Sequence, residues 1–157
     1  MKRHFFAWLL GVLSALAAVH LWSTYAYLSV MPTRSHMAEP VPMQPVVGAP
    51  AVIRDGVPAF RAAHYSESAD GRTSTGVWAS DGPSTFEWHF GSDEEVYVMH
   101  GQVDVTYGGQ QFSLRPGDTA VFLAGTSAVW HVPQHVTKSY TLHHPNALVR
   151  WWRTLGH

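Results

Sequence analysis

A chain of 157 residues has room for one domain of ordinary size and a tail, so a single core is expected. Ten Lys and Arg against eleven Asp and Glu give a formal net charge of -1, which excludes the basic surface that nucleic-acid binding needs. Cysteine is absent, so disulfides, zinc-thiolate sites and thiol nucleophiles are excluded together, whereas eleven histidines lean toward metal or acid-base chemistry.

Lys2 and Arg3 precede a stretch from Phe5 to Met31 with no charged residue other than a protonatable His20. As a helix this stretch is roughly 40 Å long, more than the ~30 Å hydrocarbon layer requires. Two readings stand: a signal peptide cleaved after Ala15-Leu16-Ala17, or an uncleaved anchor continuing through Trp22, Tyr25 and Tyr27. The uncharged run continues well past the cleavage site, which favours the anchor. With the positive residues first, the N-terminus stays in the cytoplasm and the rest of the chain lies across the inner membrane, in the periplasm of a bacterial source. Residues 1–31 are therefore the signal or anchor, and residues 5–31 are the contact with the membrane.

Between Pro32 and Pro58 there are six prolines, at 32, 40, 42, 45, 50 and 58, and this segment reads as an extended spacer, residues 32–58. A barrel is expected over 59–144. From Gly76 onward, runs of five to seven residues alternate apolar and polar side chains and close on turn signals, as in an all-β sandwich or barrel. The pattern predicts strands over 76–80, 85–90, 94–100, 103–107, 111–114, 119–123, 128–132 and 136–142. Gly108-Gly109 is the most secure turn, because a two-residue hairpin needs positive φ. An eight-stranded sheet closed as a double Greek key is the economical fold. After Pro145, Asn146 can cap a short helix over Ala147 to Leu155 within a tail of residues 145–157.

The order of residues from Asp70 to about Leu142 resembles the small cupins of the ureidoglycine aminohydrolase and ethanolamine-utilisation type. The resemblance is carried by Asp70-Gly71-Arg72, Thr75-Gly76-Val77-Trp78, Glu94 with six residues to Gly101, Pro116-Gly117-Asp118, Ala124-Gly125, Trp130, Lys138 and Tyr140. It implies a jelly-roll barrel with its site in the interior, and a metal-dependent hydrolase acting on a ureide-like substrate. Metal-binding cupins usually present His-x-His, a Glu and a later His. Here the matching positions hold Glu87-x-His89, Glu94 and Ala128, and Leu123 replaces the general proline. Ureidoglycine aminohydrolases also begin with Glu-x-His, but they complete the set with a side chain at the place of Ala128.

Alternate side chains of a strand share a face, so Glu87 and His89 point one way while Phe86, Trp88 and Phe90 point the other. The family register places Glu87 and His89 inward. Two inward carboxylates, Glu87 and Glu94, demand a cation between them. Three chemistries meet that demand or avoid it: a divalent Mn, Fe or Zn held by Glu87, His89 and Glu94; a binding pocket in which Lys138 pairs with a carboxylate; or a purely structural polar core. In the enzyme reading Lys138 and Tyr140 are the catalytic partners of a small substrate. The other class is a non-catalytic ligand-binding module, and a homodimer suits either. His100, His131 and the pair His143-His144 are weaker metal signals, and Trp78 and Trp130 read as core. No phosphate loop, Gly-x-Ser-x-Gly elbow or His-Glu-x-x-His pair occurs.

Overall fold

The computed structural model describes residues 2–29, 41–68, 70–145 and 149, in two compact units divided after Met37. The first unit contains helix α1, Lys2–Ser29. Within it Phe6–Ala26 has a mean hydropathy of 1.7 and none of its side chains is buried in protein. Twenty-one such residues make a helix about 30 Å long, enough to cross a bilayer by length and composition. A signal sequence and a membrane anchor share this property.

The second unit is built of antiparallel strands: β1 Gln44–Pro45, β2 Ala51–Gly56, β3 Phe60–Glu67, β4 Thr73–Asp81, β5 Ser84–His89, β6 Asp93–Gly101, β7 Val103–Tyr107, β8 Gln110–Leu114, β9 Thr119–Phe122, β10 Ser127–Val132 and β11 His135–His143. They form a six-stranded sheet in the order β1-β3-β4-β11-β6-β9 and a five-stranded sheet in the order β2-β5-β10-β7-β8. The two sheets face each other over one apolar core, the arrangement expected of a jelly roll. The eight strands read from alternation correspond to β4–β11. Gly108 and Gly109, at φ +56° and +79°, make the tight β7–β8 turn that residues with a Cβ rarely adopt.

The spacer reading of residues 32–58 is corrected over its second half. Gln44–Pro45 pairs with β3 and Ala51–Gly56 pairs with β5, each at a sheet edge, where proline and exposed side chains are tolerated. Strand β3 precedes the first strand read from the sequence and pairs with β4. The expected helix from Ala147 to Leu155 falls outside the described residues except for Val149.

The core follows strand parity. Phe86, Trp130, Val96, Val98, Phe122, Val132 and Val136 are almost wholly buried. Phe86 stacks on Trp130 with ring centroids 6.4 Å apart, and Phe90 on Phe122 at 4.6 Å. Burying each such ring contributes about 1.5–3 kcal/mol relative to leaving it in water. This requirement decides which face of each strand turns inward.

Candidate functional site

The interior of the six-stranded sheet is read directly from its register. Lys138 lies opposite Trp78 on β4 and Val98 on β6, Tyr140 opposite Gly76 and Val96, and Leu142 opposite Ser74 and Glu94. These side chains share the inward face. Glu94 and Lys138 are 7% and 4% exposed and form a buried salt bridge, Lys138 Nζ donating to Glu94 Oε1. The ammonium also sits over two indole rings, 5.1 Å from the centroid of Trp78 and 4.9 Å from that of Trp130. A cation there gains from the ring faces as well as from the carboxylate.

Gly76 makes room for Tyr140. A Cβ at position 76 would stand inside 3.0 Å of both the Tyr140 hydroxyl and the Ala63 carbonyl. Burial, and then the negative Glu94 carboxylate, raise the Tyr140 pKa above the usual 10.0, so this side chain remains a phenol able to donate through the neutral range.

Beside the ion pair opens a cavity of about 300 Å³, bounded by Trp78, Trp88, Tyr140, Leu142, Val46 and Pro50, with Glu94 and Lys138 in its wall and His89 at its rim. That size sits at the lower end for small-molecule sites. Trp88 packs edge-on against Trp78 at 5.5 Å. Buried Trp78 Nε1 and Trp130 Nε1 have no hydrogen-bond partner among the described residues.

The inward placement of Glu87 and His89 is corrected. On β5 the inward face carries Phe86 and Trp88, which meet the core, whereas Glu87 points outward and pairs with Arg54 of β2 at 2.7 Å. His89 is exposed, with Nδ1 3.1 Å from Ser127 Oγ. The physical reason is the alternation Phe-Glu-Trp-His: one pair must turn inward, and burying two aromatic rings is favourable where burying a carboxylate and an imidazole is not. Of the five predicted site residues, the structure brings Glu94, Lys138 and Tyr140 to one cavity, puts His89 at its rim and leaves Glu87 apart. Sequence reasoning missed Arg54, which falls in the segment read as spacer, and Trp88 as a cavity wall.

The weaker histidine candidates also lie apart from the ion pair. His100, His131 and His143 are exposed, His131 bonding to Thr85 at 2.9 Å. His144 bridges Ser92 and Ser74 at 2.8 and 3.1 Å. Trp78 and Trp130 are core, as read.

Two antiparallel sheets facing one core are the jelly-roll architecture that cupins share with other families. Residues 67–140 match the profile of the EutQ-like cupin domain, so this chain carries a cupin domain of EutQ-like type. Among solved structures, the Clostridium difficile EutQ protein is similar at 20% identity over 55% of this chain and 69% of that one, with a TM-score of 0.49. A putative ethanolamine utilization protein of Salmonella typhimurium is similar at 22% identity over 56% and 72%, also at 0.49. The Schizosaccharomyces pombe Cnp3 cupin domain reaches 0.50 at 15% identity over 62% and 73%, a likeness of fold. No curated protein matches the sequence.

Cupins often hold a metal inside the barrel, and the residues here do not fit one. Glu94 is engaged by Lys138, Glu87 is held outside by Arg54, His89 is bonded to Ser127 at the cavity rim, and Ala128, only 1% exposed, offers no donor at the fourth position. Among the described residues no group of three or more His, Asp or Glu side chains is arranged around a common point.

Proposed function

We propose that this chain is a membrane-tethered, extracytoplasmic cupin module that binds a small molecule in its barrel without a metal, with Glu94, Lys138 and Tyr140 as the polar contacts. The observation that carries the reading is the cavity itself, apolar on most sides and open beside a buried Lys138–Glu94 pair. Such a combination of apolar walls and a few convergent polar groups is how small ligands are usually held. The metal-dependent hydrolase reading is less favoured, because Glu87 lies on the outer face of β5 paired with Arg54 while Glu94 of β6 is paired inside with Lys138. Lys138 and Tyr140 then orient a ligand, and no bond-breaking role is needed for them. Tethering rests on the apolar length of Phe6–Ala26 and on Lys2 and Arg3 ahead of it, which favour a cytoplasmic N-terminus. Homodimerisation belongs to the same proposal, supported by Tyr97, Met99 and Val121 left exposed on the outer face of the six-stranded sheet.

The test is a titration of benzyl alcohol into the full chain in lipid nanodiscs, following the tryptophan indole signals by NMR. Saturable shifts are expected for Trp78 and Trp88 and not for Trp8 and Trp22, and they should survive dialysis against a chelator. Leu142→Trp, which fills the cavity, should abolish them. Shifts that vanish with the chelator, or that persist in Leu142→Trp, would overturn the reading.

A further inference from the structure

Resting on the pocket reading above, we infer that the barrel site selects uncharged, planar ligands bearing a hydrogen-bond acceptor, and that the Lys138–Glu94 pair sets this preference. The charge count of the interior leads to it. Lys138 contributes one positive charge and Glu94 one negative, both are nearly fully buried, and they neutralise each other directly. The other walls of the cavity are aromatic, aliphatic or small, apart from Ser92, an uncharged hydroxyl bonded to His144, and His89 at the rim. A carboxylate or an ammonium entering this space finds no unpaired opposite charge, so it must either lose its hydration uncompensated or break the existing pair. His89 at the rim is exposed and bonded to Ser127.

The unmatched hydrogen-bonding groups then specify the polar head. Trp78 is a cavity wall through its ring, since its Nε1–H is buried out of reach of the open space. Tyr140 offers a phenolic O–H, and the Lys138 ammonium has more N–H groups than its one carboxylate bond uses. A carbonyl, carboxamide or similar oxygen accepts from these two groups without bringing charge. Trp78 and Trp88, perpendicular at 76°, line the space for a flat apolar body.

The experiment compares three probes of nearly equal shape, benzamide, benzoate and benzylamine, by isothermal titration calorimetry of the full chain in nanodiscs. Empty nanodiscs serve as blanks, and the pH is held at about 8, where histidine is neutral. Benzamide is expected to bind at least tenfold more tightly than either charged probe. Glu94→Gln should shift the preference toward benzoate, and Lys138→Met toward benzylamine. A wild-type chain that binds a charged probe as tightly as benzamide overturns the inference and leaves the pocket reading standing, and this comparison needs no variant. Variants that fold and keep the wild-type preference also overturn it. Binding of none of the three overturns the pocket reading and the inference with it.

Discussion

Lys138→Met removes the charge from the barrel interior while keeping most of the side chain's length, and its effect follows from the burial of its partner. The Glu94 and Lys138 side chains are 9% and 5% exposed, so water cannot solvate the carboxylate once the ammonium is gone. Breaking a buried pair by removing one partner costs about 3–5 kcal/mol, and loss of the attraction to the Trp78 and Trp130 faces adds about 0.5–2 kcal/mol. For a domain of this size about 4 kcal/mol lowers Tm by roughly 15 °C or more. Glu94→Leu alone should cost a similar amount, because it strands the ammonium. The double variant should lie within about 2 kcal/mol of wild type, since a neutral interior is restored. The assay is thermal melting of the full chain in nanodiscs by near-ultraviolet circular dichroism, which reports the buried tryptophans. If the double variant loses as much as the two single variants summed, the two groups are not a buried neutral pair and the reasoning fails.

Three further outcomes test other parts of the structure. Gly76→Ala should destabilise by about 1–3 kcal/mol, as overpacking does, and adding Tyr140→Leu should not restore stability, because the Ala63 carbonyl also blocks the new Cβ and is backbone; rescue in a melting experiment would refute this. Phe86→Ala should cost about 3–5 kcal/mol in denaturant unfolding, whereas Glu87→Ala should cost under about 1 kcal/mol because its pair with Arg54 is solvent-exposed. A reversed order would mean that the faces of β5 are assigned wrongly. Stability should also decline in alkali through Tyr140, whose pKa is raised in the fold by burial and by Glu94. Its contribution is fully present below the unfolded value of about 10, is lost as pH rises through the folded value, and should disappear in Tyr140→Phe.

Strands β4–β11 are legible in the sequence because each alternates and ends at residues with a turn role, such as Gly108-Gly109. β1 and β2 are hidden by a different rule. Pro45 and Pro50 discourage a strand reading, yet a sheet edge needs hydrogen bonds on one side only, and both strands sit there. In β3 a register shift between His64 and Ser66 interrupts the alternation that would have revealed it. The site is partly legible for a similar reason. Lys138 and Tyr140 alternate with Thr137, Ser139 and Thr141, and Glu94 is in phase with the buried Val96 and Val98, so parity sends all three inward. On β5 the ligand pattern of metal-binding relatives and the burial of Phe86 and Trp88 make opposite demands, and burial prevails. No rule based on spacing could have found the Arg54–Glu87 pair, because Arg54 lies on a strand the sequence does not announce.

The same competition explains why the barrel needs no fourth ligand. An interior carboxylate must be matched by positive charge, and a metal-binding cupin matches several donors with one divalent ion. Among the described residues Glu94 is the buried carboxylate, a single negative charge, and a single ammonium suffices. Lys138 reaches that point because it projects from β11 diagonally past Tyr140, with two tryptophan faces on its way. A small residue at 128 is consistent with this arrangement. Ala128 lies opposite Trp88 in the β5–β10 register and is 1% exposed. Aromatic residues at 86 and 88, alanine at 128 and lysine at 138 are thus mutually consistent choices. Together they place a buried, mutually neutralising ion pair beside an aromatic-walled cavity.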